Sequence, residues 1–209
     1  GAFDVVLGFR RLAILDLSLT GRQPMVSADG RYWLVFNGEI YNYLELKLEL
    51  ESLGYVFRST SDTEVLLAAY TCWGCQALHR LVGMFAFAVL DTHSRTLFLA
   101  QDFFGIKPLY YTYGPAGFAF ASEIKALLKL SGLGRCVNAQ RLYDYLRFRL
   151  TDHGGQTLLT DIHQLPAAHY LEISLDNPQA AQPIRYWQVD LSQRLDLSFE
   201  QAAAHLREL

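Results

Sequence analysis

Residues 84–90 and 96–100 are β-rich apolar runs separated only by Asp91-Thr92-His93-Ser94-Arg95, and this is the strongest constraint in the chain. A second such pair, 109–113 and 118–121, is joined through Gly114-Pro115-Ala116-Gly117. Connections this short return the chain as hairpins, so neighbouring strands run antiparallel. Successive hairpins with helices set between them predict an α+β class and argue against βαβ units.

The remaining pattern fits that class. Apolar runs at 5–7 and 12–15 flank Arg10-Arg11, and 31–36 is a further strand candidate. In the segment that follows, two periods compete. Leu44, Leu46, Leu48 and Leu50 alternate as in a strand, whereas Leu46, Leu50 and Leu53 recur as in a helix. The Leu/Glu/Lys composition, Asn42 with Glu45 in capping-box spacing and Gly54 at the far end decide for helix. Asp62 suits the N-cap of a second helix running toward Gly74, and short helices are expected at 122–130 and 138–148. A last strand is expected near 169–173, then a helix from Ser198, with Gln201 in capping-box spacing.

Composition narrows the function classes. Half of the 209 residues are apolar, which excludes intrinsic disorder and favours one large domain. A net charge of −3 without any Lys/Arg block disfavours nucleic acid, and no apolar run reaches the ~20 residues of a membrane span. No secretory leader is visible at Gly1. Cys72, Cys75 and Cys136 are an odd set that does not read as a disulfide framework, so a reducing cytoplasm is the expected compartment. Cys72 and Cys75 are spaced C-x-x-C, but no second pair completes a zinc site, and the six histidines lack metal-ligand spacing. No metal is expected.

The densest polar constellation in an apolar setting is Phe36-Asn37-Gly38-Glu39-Ile40-Tyr41-Asn42. A strand running into Asn-Gly exposes backbone N–H groups beside a side-chain amide, which together can donate two hydrogen bonds to one oxygen. On this segment alone, the simpler reading is preferred: Asn37-Gly38 is a tight turn with Gly38 at positive φ. By alternation one of Arg10 and Arg11 points inward, where a guanidinium needs a carboxylate from a ligand or from Asp16 or Glu39. Asp62 caps its helix or receives an ammonium. Convergence of Arg11, Asp62 and the Asn37-Gly38 corner would describe a site for an α-amino acid bearing a reactive side-chain carbonyl.

At these residues the chain resembles the glutamine amidotransferase domain of asparagine synthetases, a class II, N-terminal-nucleophile type. The resemblance rests on Leu12-Ala13-Ile14-Leu15-Asp16-Leu17-Ser18, Gln23-Pro24-Met25, Asn37-Gly38-Glu39-Ile40-Tyr41-Asn42, Ser61-Asp62-Thr63-Glu64-Val65, Gly83-Met84-Phe85-Ala86-Phe87, Gly105-Ile106-Lys107-Pro108-Leu109-Tyr110-Tyr111 and Ala121-Ser122-Glu123-Ile124-Lys125-Ala126-Leu127. A weaker echo continues through Leu165-Pro166 and Arg185-Tyr186-Trp187. The resemblance implies a four-layer αββα sandwich of two antiparallel sheets. It also implies that Arg11 binds the glutamine α-carboxylate and Asp62 the α-ammonium. Backbone groups of Leu12, Ala13, Ile14 and Leu15 would line the pocket, Asn37 and Gly38 would form the oxyanion hole, and Glu39 would contact glutamine.

The chain departs from the pattern at several points. The family nucleophile is an N-terminal cysteine whose own α-amine serves as base, whereas Gly1 has no thiol and the Arg-Gly-Pro-Asp segment is absent. The strand carrying them is expected to be missing from the sandwich. Phe9 stands where histidine is usual, and Gln101 and Phe103 stand where arginine is common. No Ser-Gly-Gly-x-Asp-Ser pyrophosphatase loop follows. Residues 1–190 are therefore expected to be a truncated amidotransferase domain, and 191–209 the start of a connection to a synthetase domain. The parent enzyme would hydrolyse glutamine and amidate aspartate with ATP and Mg in that domain, while this chain would need no cofactor and be inactive. Its partners would be glutamine, the synthetase domain and, through an unpaired sheet edge, a second copy in a homodimer. Two alternatives stand beside this reading: a degenerate non-catalytic domain with a structural or regulatory role, and a related synthetase with another carboxylate acceptor.

Overall fold

The computed structural model describes residues 5–10, 21–114, 117–151, 154–178, 181–192 and 196–208. Strands β1 (Met25–Val26), β2 (Tyr32–Ile40), β3 (Gly83–Asp91), β4 (Thr96–Gln101), β8 (His169–Ser174) and β9 (Ile184–Arg185) form one sheet in that spatial order. A second sheet has the order β6 (Gly117–Ala121), β5 (Tyr110–Gly114), β7 (His163–Gln164). Every pairing is antiparallel, as the hairpins require. The helices are α1 (Tyr43–Ser52), α2 (Asp62–Trp73), α3 (Ile124–Leu127), α4 (Ala139–Phe148) and α5 (Phe199–Glu208), with a 3₁₀ turn over Gly74–His79.

Residue size sorts the two faces of the larger sheet. Leu34, Phe36, Phe85, Phe87 and Phe98 are buried on one face against Leu46 and Leu50 of α1 and Val65, Leu66 and Ala69 of α2. Each such side chain contributes roughly 2 kcal/mol of burial. The opposite face carries Val35, Ala86, Ala88, Leu97, Leu99, Leu171 and Ile173 and meets Leu109 and Tyr111 of the second sheet. The small alanines let the two sheets close on one another. With α3 packed on β5 and β6, the architecture is the expected α+β sandwich of two antiparallel sheets.

Several local expectations are corrected. The strand read at 31–36 runs on to Ile40, because Asn37, Gly38 and Glu39 pair with Ala86, Phe85 and Met84 of β3. Asn37-Gly38 is therefore ladder and not a turn. Asn42 makes no cap hydrogen bond to α1; its amide instead donates to Arg80 O and accepts from Val82 N, both at 2.9 Å. The N-cap of α2 is Ser61, whose hydroxyl accepts from Thr63 N at 3.2 Å, and Asp62 is the first helical residue. Residues 5–7, read as a strand, carry no regular structure, and 12–15 lie outside the described residues. The α1 reading holds: Leu46 and Leu50 are buried while Leu44 and Leu48 are exposed. The Ser198–Gln201 box also forms, each backbone N–H being taken by the other's side chain. Among the described residues, no helix is long and apolar enough to cross a membrane.

Candidate active site

The site lies where β2 outruns its neighbour β1. β1 covers only Trp33 and Leu34, so among the described residues no strand pairs with the later residues of β2 on that side. Alternate residues of an antiparallel strand send their backbone N–H groups to opposite neighbours. On β3, Phe85 directs both its N–H and its C=O toward Asp102, at the end of β4. Gly38, directly opposite Phe85, is therefore a non-hydrogen-bonded pair with it and turns its N–H to that edge, as do Phe36 and Ile40.

Side chains occupy two of these three donors. Phe36 N–H donates to Gln23 Oε1 at 2.6 Å, and Ile40 N–H donates to Asp62 Oδ2 at 3.1 Å. The Gly38 N–H between them has no acceptor among the described residues. Gly38 is required sterically as well: its φ is +156°, and an added Cβ would collide with the Met84 carbonyl and lie 2.7 Å from Phe85 Cα. No side chain fits there without moving β3.

Asn37 and Glu39 share the face that looks toward the second sheet. The Asn37 amide donates to Ser122 Oγ at 3.4 Å, a long contact that leaves it able to serve another acceptor. It opens into a cavity of about 720 Å³ lined also by Val35, Phe118, Phe120, Ser122 and Leu127. Asn37 thus supplies a donor from the face of β2, and Gly38 supplies one from its edge, at adjacent residues. The two donors expected from the sequence thus sit at adjacent residues of a strand and not in a turn.

Asp62 is 6 % exposed and is tied to β2 through Ile40. Burial raises its pKa, the backbone N–H groups of Ile40 and Thr63 act in the opposite sense, and the nearby Glu39 charge raises it further. Its ionised form meets no cation among the described residues, so an incoming ammonium would be favoured there. Arg11, Leu12, Ala13, Ile14 and Leu15 lie outside the described residues. Of the expected site residues, Asn37, Gly38, Glu39 and Asp62 are brought together. No group of three or more His, Cys, Asp or Glu able to hold a metal occurs among the described residues.

Gln23 and Ser61 were not anticipated as site-building residues. Gln23 accepts from β2 and donates from Nε2 to Thr63 Oγ1 at 3.4 Å, linking the strand edge to the start of α2. Ser61 could have been found, since Ser61 and Glu64 have capping-box spacing one residue before the chosen cap. Gln23 gives no local signal, because its partner lies thirteen residues away.

A glutamine amidotransferase domain model matches residues 2–187. The chain belongs to the glutamine amidotransferase domain family. Among curated relatives of this amidotransferase domain, asparagine synthetase [glutamine-hydrolyzing] 1 of Bacillus subtilis is 52 % identical over 124 residues, 59 % of this chain and 20 % of the relative. Asparagine synthetase [glutamine-hydrolyzing] 3 of the same organism is 36 % identical over 211 residues, covering 100 % of this chain and 34 % of the relative. The chain therefore spans a fifth to a third of the length of these relatives. Among solved structures, glutamine phosphoribosylpyrophosphate amidotransferase from B. subtilis superposes with a TM-score of 0.57 at 21 % identity. That match covers 82 % of this chain and 33 % of the other and establishes a shared fold.

Proposed function

We propose that this amidotransferase domain is the glutaminase part of a glutamine-hydrolysing asparagine synthetase. The observation that carries the reading is the Gly38 N–H at the edge of β2, without an acceptor among the described residues, beside the Asn37 amide and two residues from Ile40, whose N–H the buried Asp62 takes. Glutamine would enter with its α-ammonium on Asp62 and its α-carboxylate on Arg11, Leu12, Ala13, Ile14 and Leu15 lining the pocket through backbone groups. Its side-chain carbonyl would then lie in the corner, with Glu39 nearby. Attack by a thiolate would give a tetrahedral oxyanion held by Asn37 Nδ2 and Gly38 N–H. Collapse of this intermediate would release ammonia and leave a thioester, which water would hydrolyse to glutamate.

The nucleophile would be an N-terminal cysteine with its own α-amine as base. None of the three cysteines in these 209 residues suits that role. Cys72 and Cys75 pack on the helix side of the large sheet, away from the face that carries Asn37, and Cys136 is exposed elsewhere. A polypeptide with only these thiols is expected to release no glutamate from glutamine; release above background would overturn that expectation. The ammonia would amidate aspartate in a synthetase domain that holds ATP and Mg. Residues 1–190 would form the amidotransferase domain, and 191–209 would begin the connection. In keeping with that division, α5 has no buried residue.

The test is Asn37→Ala in the complete gene product. Glutamine-dependent asparagine formation should fall by about 10²- to 10³-fold. Formation from ammonium salts should be unchanged. Equal loss with both nitrogen sources would sink the assignment, and retention of both would show that Asn37 holds no oxyanion.

A further inference from the structure

We infer that Asp102 is a positioning residue for the Gly38 donor; this rests on the reading of Asn37 and Gly38 as the oxyanion site. Asp102 is 1 % exposed and forms no ion pair among the described residues. Its carboxylate is compensated by four backbone donors. Oδ1 accepts from Phe104 N and Ile106 N, each at 3.0 Å. Oδ2 accepts from Lys107 N at 3.0 Å and Phe85 N at 3.1 Å. The backbone of Asp102 closes the circuit, its N–H donating to Phe85 O at 2.8 Å and its C=O accepting from Ala168 N at 2.8 Å.

The Phe85 bond is the informative one. In a regular ladder, Phe85 N–H would meet the main-chain carbonyl of the residue opposite, next in register after the Ala86–Gln101 pair. Here the side chain of Asp102 takes that donor, freeing the carbonyl for Ala168 and Gly105. Asp102 therefore holds both polar groups of Phe85, the residue directly opposite Gly38, and a methyl on Gly38 would strike Met84 O and Phe85 Cα. The path from carboxylate to donor is one hydrogen bond and one cross-strand pair. A charged acceptor makes that bond stronger than a neutral rung would be. A displacement of Phe85 passes directly to the Gly38 N–H, because close-packed backbone has no slack to absorb it. Asp102 itself acts only through Phe85, so its loss should weaken what Gly38 does in the transition state and leave ground-state glutamine binding near its original strength.

The test is Asp102→Asn, whose amide keeps one acceptor oxygen and turns an N–H₂ toward two of the four backbone donors. In the complete gene product, kcat for glutamine hydrolysis should fall by about 10- to 100-fold with KM within about threefold, the range expected for a misplaced group. In the same protein, hydrogen exchange should quicken at Phe85, Phe104, Ile106 and Lys107 and also at Asn37 and Glu39, the paired residues that flank Gly38, while Leu34 and Val35 keep their protection. Asp102→Glu, which retains the charge one methylene further out, should give the same pattern more weakly, and it carries the test if Asp102→Asn does not fold. The inference is overturned if kcat and KM change together, or if the loop amides loosen while Asn37 and Glu39 exchange as before. If the unmodified gene product releases no glutamate, the oxyanion reading fails, and the exchange at Asn37 and Glu39 still decides whether Asp102 positions this stretch of β2.

Discussion

The β2–β3 pair ends in buried aspartates at both extremities, and they are compensated differently. At the Tyr32–Asp91 end, Asp91 takes the Arg31 guanidinium through Nε at 2.9 Å and Nη2 at 2.6 Å, together with the hairpin N–H groups of His93 and Ser94. At the Ile40–Gly83 end, Asp62 and Asp102 form no ion pair among the described residues and accept from backbone N–H groups. A carboxylate matched by a cation is a closed clasp with nothing left to offer a ligand. One matched only by backbone amides fixes the main chain and still gains from a cation that arrives later. The first arrangement holds the hairpin, and the second is the one on which the proposed site is built.

The harshest way to break this contrast is Gly38→Ala. The new methyl would meet the backbone of Met84 and Phe85, which cannot swing aside as a side-chain tip could. Urea unfolding should show a loss of about 3 kcal/mol, at the upper end for overpacking. Glutamate release by the complete gene product should fall by more than about 10²-fold. Gly83→Ala sharpens the comparison: its methyl would crowd the Glu39 carbonyl and lie 3.0 Å from Ile40 Cα, but Gly83 supplies no donor to the proposed site, whereas Gly38→Ala displaces one. A similar stability loss with a smaller loss of activity is expected. Equal activity losses would mean that the strands must merely pair correctly, and that Gly38 has no separate role.

Next in size is Asp62→Asn, which keeps an acceptor for Ile40 N–H and removes the charge. Glutamine affinity measured by calorimetry should fall by about 10- to 100-fold, the worth of a charge-assisted contact. Stability should hold or rise slightly, because a buried charge without an ion-pair partner among the described residues is gone. The pH dependence separates the two effects. Protonation removes the anion that would meet the ammonium, and burial raises the Asp62 pKa. Affinity of the unmodified protein should therefore fall on acidification at a pH above the ordinary aspartate range of about 3.9. The Asn variant should show no such step. A flat profile in the unmodified protein would place the ammonium elsewhere.

How far the sequence disclosed this site depends on how local each interaction is. The α1 ambiguity was resolvable because composition and capping residues sit within the helix, and burial of Leu46 and Leu50 follows from them. The hairpin 84–100 was legible for the same reason. Asn37-Gly38 was read as a turn because the dipeptide favours one locally, but nine residues of β2 pair continuously with β3 and override that preference. The open Gly38 N–H could not be foreseen at all. It depends on which residues of β1, Gln23 and Asp62 meet the strand edge, and register of that kind is set by contacts distant in sequence. The family resemblance supplied the residues' expected roles, and the fold supplied the reason an edge donor has no acceptor among the described residues.

The smallest effect is expected at the closed end, from Asp91→Asn. Arg31 holds the Asp91 carboxyl well below the usual carboxylate range, with the hairpin N–H groups and Ser94 assisting against burial. A depressed folded pKa means that the stabilisation is fully present above the unfolded value of about 3.9 and disappears as the pH falls through the folded one. The variant should thus be less stable than the unmodified chain at neutral pH, by the modest amount typical of a partly exposed ion pair. The gap should close progressively below about pH 4. Glutamine hydrolysis by the complete gene product should be unchanged at neutral pH, since the clasp lies at the far end of the strands from Gly38. A lowered kcat at full occupancy would show that the two ends are mechanically coupled along β2 and β3, and the contrast between clasp and site would then have to be given up.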